Sequence, residues 1–143
     1  MQKFSSSDIE KMICLAREAQ NHAYAPYSHF FVGCCIKTTN GEFFTGANVE
    51  NVSYSLTVCA ERAACAAMVN AGYRQIADIV IVSSHDNMCP PCGACRQFLY
   101  EFSQEHTQVH LCNGQGLQHS LKMNALLPYA FMESHLESTI VKV

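Results

Sequence analysis

A chain of 143 residues, 49% of them apolar, can bury one core, and its net charge of −3 leaves no basic footprint for binding nucleic acid. Its nine lysines and arginines are scattered singly. Mean hydropathy is +0.02, and no apolar stretch approaches the roughly 18 residues of a membrane span. The first residues, Met1 to Asp8, contain no apolar run of the kind a secretory leader carries. The expectation is one domain over residues 1–143, cytoplasmic, with a small molecule as its partner and neither nucleic acid nor membrane.

Ser7-Asp8-Ile9-Glu10 has the form of a capping box, and Ile9, Met12, Ile13, Ala16 and Ala19 follow at helical spacing. That predicts an amphipathic helix to about Ala23, broken at Pro26 and Tyr27. Residues Phe30–Thr38 and Glu42–Ala47 are rich in aromatic and β-branched types and flank Asn40-Gly41, a strong hairpin signal. Cys59–Ala71 is Ala-rich and helical in composition, with Gly72 as its stop. Ile76–Ser83, centred on Ile79-Val80-Ile81-Val82, reads as a strand buried on both faces. Another helix is expected from Pro91–Cys95 through Phe102, then a strand over Val109–Cys112 and a turn at Gly114 and Gly116. A weaker strand at Gln118–Leu121 and a helical turn toward Leu127-Pro128 complete the chain. This order predicts an α/β fold with a mixed sheet covered by helices on both faces.

Nine cysteines, an odd number without a secretory leader, argue for metal ligands and buried thiols rather than disulfides. Cys59 opens one predicted helix, and Cys92-Gly93-Ala94-Cys95 opens another. Helix N-termini carry partial positive charge and free N–H groups, which favour thiolates and so metal binding. Two such ends can hold one zinc ion per chain. Three protein ligands leave a fourth position open, the mark of a catalytic rather than a structural zinc.

Glu61 lies two positions after Cys59, and such neighbours do not share a helix face. Both reach one site only if it caps the helix end, and Glu61 is then placed to move protons. The alternative is a carboxylate favoured at a helix start by the dipole. Arg62 and Arg96 follow Glu61 and Cys95 directly and are the candidates to offset the charge of three thiolates; as surface arginines they would do nothing there. Cys89-Pro90-Pro91-Cys92 is itself a CxxC, which leaves open a dithiol redox module or a closed four-cysteine zinc of Cys59, Cys89, Cys92 and Cys95.

Cys59-Ala60-Glu61 followed by Pro91-Cys92-Gly93-Ala94-Cys95 is the two-part pattern of zinc deaminases, in which the Glu is not a ligand. Further matching stretches are Ala25-Pro26-Tyr27-Ser28-His29-Phe30-Phe31-Val32-Gly33, Asn48-Val49-Glu50-Asn51, Arg96-Gln97 and Leu126-Leu127-Pro128-Tyr129-Ala130-Phe131. With these, the chain resembles the small, homotetrameric type of cytidine deaminase over nearly its whole length. The resemblance implies a three-layer α/β/α sandwich and a zinc-dependent hydrolysis of cytidine and 2′-deoxycytidine to the uridines and ammonia, in pyrimidine salvage. It gives Asn48 and Glu50 the ribose 3′-hydroxyl, Phe30 the pyrimidine and the backbone N–H of Ala60 the base. Phe131 would serve a neighbouring subunit's site, with Tyr54 near a shared wall. A carboxylate suits a sugar hydroxyl and an aromatic face suits a flat base, although Phe30 has core packing as its alternative.

The chain departs from that family in Cys34-Cys35, where small residues are usual. They read, with Cys14, Cys65 and Cys112, as small apolar thiols. The seven histidines show no ligand spacing. A related reading, deamination of an aminopyrimidine antibiotic of the blasticidin type, is disfavoured by Asn48-x-Glu50.

Overall fold

The computed structural model describes residues 6–136. Its elements are helix α1 (Ser6–Gln20), strands β1 (Val32–Thr38) and β2 (Phe43–Ala47), helix α2 (Ala60–Asn70), strand β3 (Ile76–Ser83), helix α3 (Gly93–Tyr100), and strands β4 (Ser103–Asn113) and β5 (Gly116–Lys122). The strands form one mixed sheet in the order β2-β1-β3-β4-β5. Only β3 and β4 pair in parallel; the other neighbours are antiparallel.

Strands β2 and β3 both run against β1 between them, so they are parallel to each other. The units β2-α2-β3 and β3-α3-β4 are therefore successive crossovers in one direction. Right-handed crossovers of this kind place both helices on one face of the sheet. Both helices then start at the carboxyl ends of parallel strands, where open α/β sheets carry their ligand sites.

The alternation of side chains along the strands separates two cores. Cys34 and Ile36 of β1 and Ile79 and Ile81 of β3 pack with Ala60, Ala64, Cys65, Met68 and Leu99 of α2 and α3. Cys35, Val80, Val82 and Cys112 point the other way and pack with Met12 and Ala16 of α1. Both faces of β3 are thus covered, and the layers are α1, sheet, and α2 with α3. Gly46 allows the helix layer to lie close: a Cβ there would stand 2.6 Å from the Ala60 carbonyl oxygen.

Several boundaries differ from the sequence expectation. Helix α1 already contains Ser7, so its start lies before the expected capping box. It ends at Gln20, not Ala23, because residues 22 and 23 close bonds three residues back, from His22 N–H to Ala19 and from Ala23 N–H to Gln20. Strand β1 starts at Val32 rather than Phe30, after a left-handed residue at His29 with φ 55°. Helix α3 stops at Tyr100, short of Phe102, where the Ser103 hydroxyl donates to the Leu99 carbonyl at 2.7 Å. Strand β4 is much longer than Val109–Cys112, since its polar first half, Ser103–His106, still pairs with the start of β3 through Ile76. Strand β5 exceeds Gln118–Leu121 because its largely exposed residues carry little apolar pattern. The expected helical turn is a 3₁₀ turn over Met123–Leu126. Cys14 is exposed, unlike Cys65 and Cys112, because Met12 and Ala16 define the inward face of α1 and Cys14 falls outside it.

Candidate metal centre and active site

Cys59 and Cys92 are the residues immediately before the first turns of α2 and α3, and Cys95 lies one turn into α3. Because the two helices begin at the same edge of the sheet, residues 33 positions apart in the chain meet: the Cys59 and Cys92 sulfurs are 4.0 Å apart. The sulfurs of Cys59, Cys92 and Cys95 all lie within 4.8 Å of one another, the one such group of metal-ligand side chains among the described residues. Sulfurs around a tetrahedral zinc at ~2.3 Å stand roughly 3.8 Å apart, so this donor set fits that ion. Cys89 does not belong to the group; its thiol donates to the Pro90 carbonyl at 3.7 Å.

Glu61, the second residue of α2, is 6% exposed and accepts a hydrogen bond from the Cys95 thiol at 3.1 Å. Its place at the helix end satisfies the geometric condition that its spacing from Cys59 imposed. Burial raises its pKa above the ordinary carboxyl value, partly offset by the bond from Cys95. The thiol of Cys59 is pulled down to about 5, chiefly by the hydrogen bond from Cys95 and further by those from Arg62 and Cys92. Cys95 moves the opposite way, since the Cys59 sulfur and the Glu61 carboxylate both draw on its one proton and its surroundings are dry. Cys59 therefore leans toward the thiolate, the form that binds a cation.

The two arginines occupy different places. Arg62 approaches the Cys59 sulfur at 3.9 Å and donates to the Thr57 carbonyl at 3.0 Å, while its Nε is buried with no partner. Arg96 spends its guanidinium on carbonyls, Pro91 at 2.8 Å and Leu126 at 3.0 Å. It ties the segment before Cys92 to the 3₁₀ turn, and no sulfur is among these partners.

A second group gathers between the ends of β1 and β2. The Asn48 amide is buried, accepts from Val32 N–H at 2.9 Å and donates to the Phe30 carbonyl at 2.8 Å. It fixes the backbone on either side of Phe31. One Glu50 oxygen accepts from the backbone N–H groups of Tyr27 at 3.0 Å and Ser28 at 3.1 Å. Hydrogen bonding from Ser28, side chain first, holds its carboxyl below the usual range. Tyr54, 74% exposed, meets Tyr27 edge to face with centroids 5.9 Å apart. Ala60 is buried at the first position of α2. Phe131, 56% exposed, is stacked on His135, and its carbonyl accepts from Gln97 at 3.0 Å. The contacts of Phe131 within the chain do not include the cysteine cluster. Tyr27 and His85, which stacks on Phe30, are the neighbours sequence reasoning missed. Neither carries a spacing signal that could have singled it out.

The chain is similar to known proteins over most of its length. Residues 6–111, which hold all three cysteines and Glu61, match the family model described as the cytidine and deoxycytidylate deaminase zinc-binding region. The cytidine deaminase of Sporosarcina psychrophila is 38% identical over 129 residues, 90% of this chain and 95% of the relative. That of Halalkalibacterium halodurans is 41% identical over 124 residues, 87% and 94% of the two chains. The crystal structure of cytidine deaminase from Burkholderia pseudomallei aligns with a TM-score of 0.81 at 43% identity, covering 85% of this chain and 98% of that one. The matched span is the span that brings two helix N-termini and one buried carboxylate together, and by it the chain belongs to the cytidine and deoxycytidylate deaminase zinc-binding family.

Proposed function

We propose that this chain is a zinc-dependent hydrolase that deaminates cytidine and 2′-deoxycytidine to the corresponding uridines with release of ammonia. The observation that carries the reading is the convergence of the Cys59, Cys92 and Cys95 sulfurs beside the buried Glu61 carboxylate. Cys59, Cys92 and Cys95 would hold the zinc, which when bound would supply a Lewis acid able to make water a nucleophile near neutral pH. Glu61 carries the protons: it takes one from water and gives it to the ring nitrogen as the oxygen adds to the carbon bearing the amine. It then takes the second from the added hydroxyl and gives it to the amine, which leaves as ammonia when the C–N bond breaks. Its raised pKa suits both directions of that transfer. Ultraviolet monitoring of purified protein with cytidine, with zinc assayed on the same sample, tests the reading. Zinc-loaded protein that leaves the cytidine spectrum unchanged overturns it.

The remaining roles rest on the resemblance and on placement. Phe30 faces the pyrimidine, the Ala60 N–H meets the base, and Asn48 and Glu50 hold the ribose. The Glu50 carboxylate is fixed by Tyr27 and Ser28 through one oxygen and accepts the 3′-hydroxyl. Substrate lacking the 3′-hydroxyl is expected to lose about tenfold or more in kcat/KM relative to 2′-deoxycytidine, as an unpaired polar group costs about 1–3 kcal/mol. Equal efficiencies would remove Glu50 from sugar recognition.

Arg62 offsets thiolate charge at Cys59. Arg96, expected from its place in the sequence to share that task, instead holds the Pro91 and Leu126 carbonyls and so positions the segment that carries Cys92. In metal-free protein, Arg62→Gln is expected to move Cys59 alkylation by iodoacetamide to higher pH, read by peptide mass mapping. Losing a nearby positive charge disfavours the thiolate, while the Cys95 bond keeps the thiol below its ordinary value. An unmoved profile removes Arg62 from that role.

The chain works as a single catalytic domain assembled into a homotetramer, in which Phe131 and Tyr54 line sites shared between subunits. Exposed Tyr24, Val49, Val52, Tyr54 and Leu56 offer the apolar surface such packing needs. Light scattering is expected to give four times the chain mass; a stable, active monomer excludes the shared-site roles. No described helix is long and apolar enough to cross a membrane. The nine free cysteines support a reducing, cytoplasmic setting.

A further inference from the structure

Phe30 and His85 form a stacked pair, with ring centroids 4.7 Å apart and planes inclined by 21°. The pairing of β1 with β3 explains their meeting. Val32 stands opposite Ser83 at the end of the formal ladder. Beyond it, the Ser84 N–H donates to the Phe31 carbonyl at 3.0 Å, and the Ser84 hydroxyl accepts from the Phe31 N–H at 3.1 Å. The register thus runs on for two more positions and sets Phe30 opposite His85. Alternation puts these two side chains on the face of Cys34, Ile36, Ile79 and Ile81, the face of α2 and α3 and so of the cysteine cluster. His85 also stands at the start of the segment that leads from β3 to Cys92.

Phe30 is held on its backbone side by Asn48, through its own carbonyl and the Val32 N–H. The ring is half-buried and packs in part against the core of Val32, Cys34 and Ile36, and the exposed imidazole of His85 lies flat against it from the solvent side. An aromatic ring that must be ordered on binding costs affinity, whereas one already stacked does not. We propose that His85 is a positioning residue for base recognition, holding the Phe30 ring in the orientation that meets the pyrimidine. This rests on the reading of the site as a cytidine site. Nothing in the chemistry of proton transfer involves His85, so its effect falls on substrate binding and not on the chemical step. The stack needs a flat ring and no particular nitrogen, so phenylalanine can replace the imidazole.

The experiment measures KM and kcat for cytidine, and uridine binding by calorimetry, on His85→Ala, His85→Phe, Phe30→Leu and Phe30→Leu/His85→Ala. His85→Ala is expected to raise KM about three- to tenfold and weaken uridine similarly, with kcat nearly unchanged, as the loss of an aromatic stack implies. His85→Phe restores KM, and His85→Ala adds nothing in the Phe30→Leu background. Thermal unfolding of each variant confirms the fold. Cytidine turnover with an unchanged KM in His85→Ala overturns this proposal alone. So does failure of His85→Phe to restore KM, or an equal rise with Phe30→Leu already present. Absence of cytidine turnover in the wild-type, zinc-loaded protein overturns the underlying reading, and this proposal with it.

Discussion

Glu61→Gln is expected to keep its zinc and lose at least roughly 10²-fold in kcat for cytidine. Glutamine preserves the volume of a side chain that is almost fully buried in the first turn of α2, so packing against the helix layer survives. What disappears is a group able to accept and release a proton. The wild-type carboxyl sits 3.1 Å from the Cys95 sulfur in a site dry enough to raise its pKa. A glutamine amide can donate to the Cys95 sulfur at that distance, which keeps the ligand in place without any proton exchange. Zinc content by mass spectrometry and initial rates by ultraviolet absorbance check both halves. Loss of zinc would turn Glu61 into a ligand or a prop for one, and retained turnover would send the proton elsewhere.

Cys92→Ser is expected to lose zinc and activity together, whereas Cys89→Ser keeps both. Serine at position 92 still suits the start of α3, since hydroxyl residues favour the helix N-cap, and the fold should persist. The hydroxyl, unlike a thiolate, is a poor zinc ligand at neutral pH, so the set of three sulfurs is broken. Cys89 lies outside that set with its thiol turned to the Pro90 carbonyl. Zinc per chain after exhaustive dialysis separates the cases. Equal zinc loss in both variants would restore the closed four-cysteine site and deny the open position that hydrolysis needs.

The contrast between these cysteines bears on what can be read from a sequence. Cys59, Glu61, Cys92 and Cys95 were identifiable because their signals are local. Each lies within one turn of a helix start, and the spacing of ligand and carboxylate limits where the site can be. Strand β3 was legible for a similar reason, since an unbroken run of β-branched residues reports a strand covered on both faces. The polar half of β4 and the exposed β5 were not, because strands without apolar contrast look like loops until a partner strand pairs with them.

By itself, then, the sequence determined the ligand chemistry, the helices that present it and the layered α/β class. Only the tertiary structure decided which side chains use those ligands as neighbours. Arg62 turned to a sulfur and Arg96 to two carbonyls, although both follow a site residue directly. Cys14 faced outward while Cys65 and Cys112 were buried. Phe30 met His85 across 55 residues of chain because β1 and β3 pair in one register and no other. The reason is physical: periodicity and capping act over one or two helical turns, whereas these contacts are set by the order and register of strands far apart in the chain.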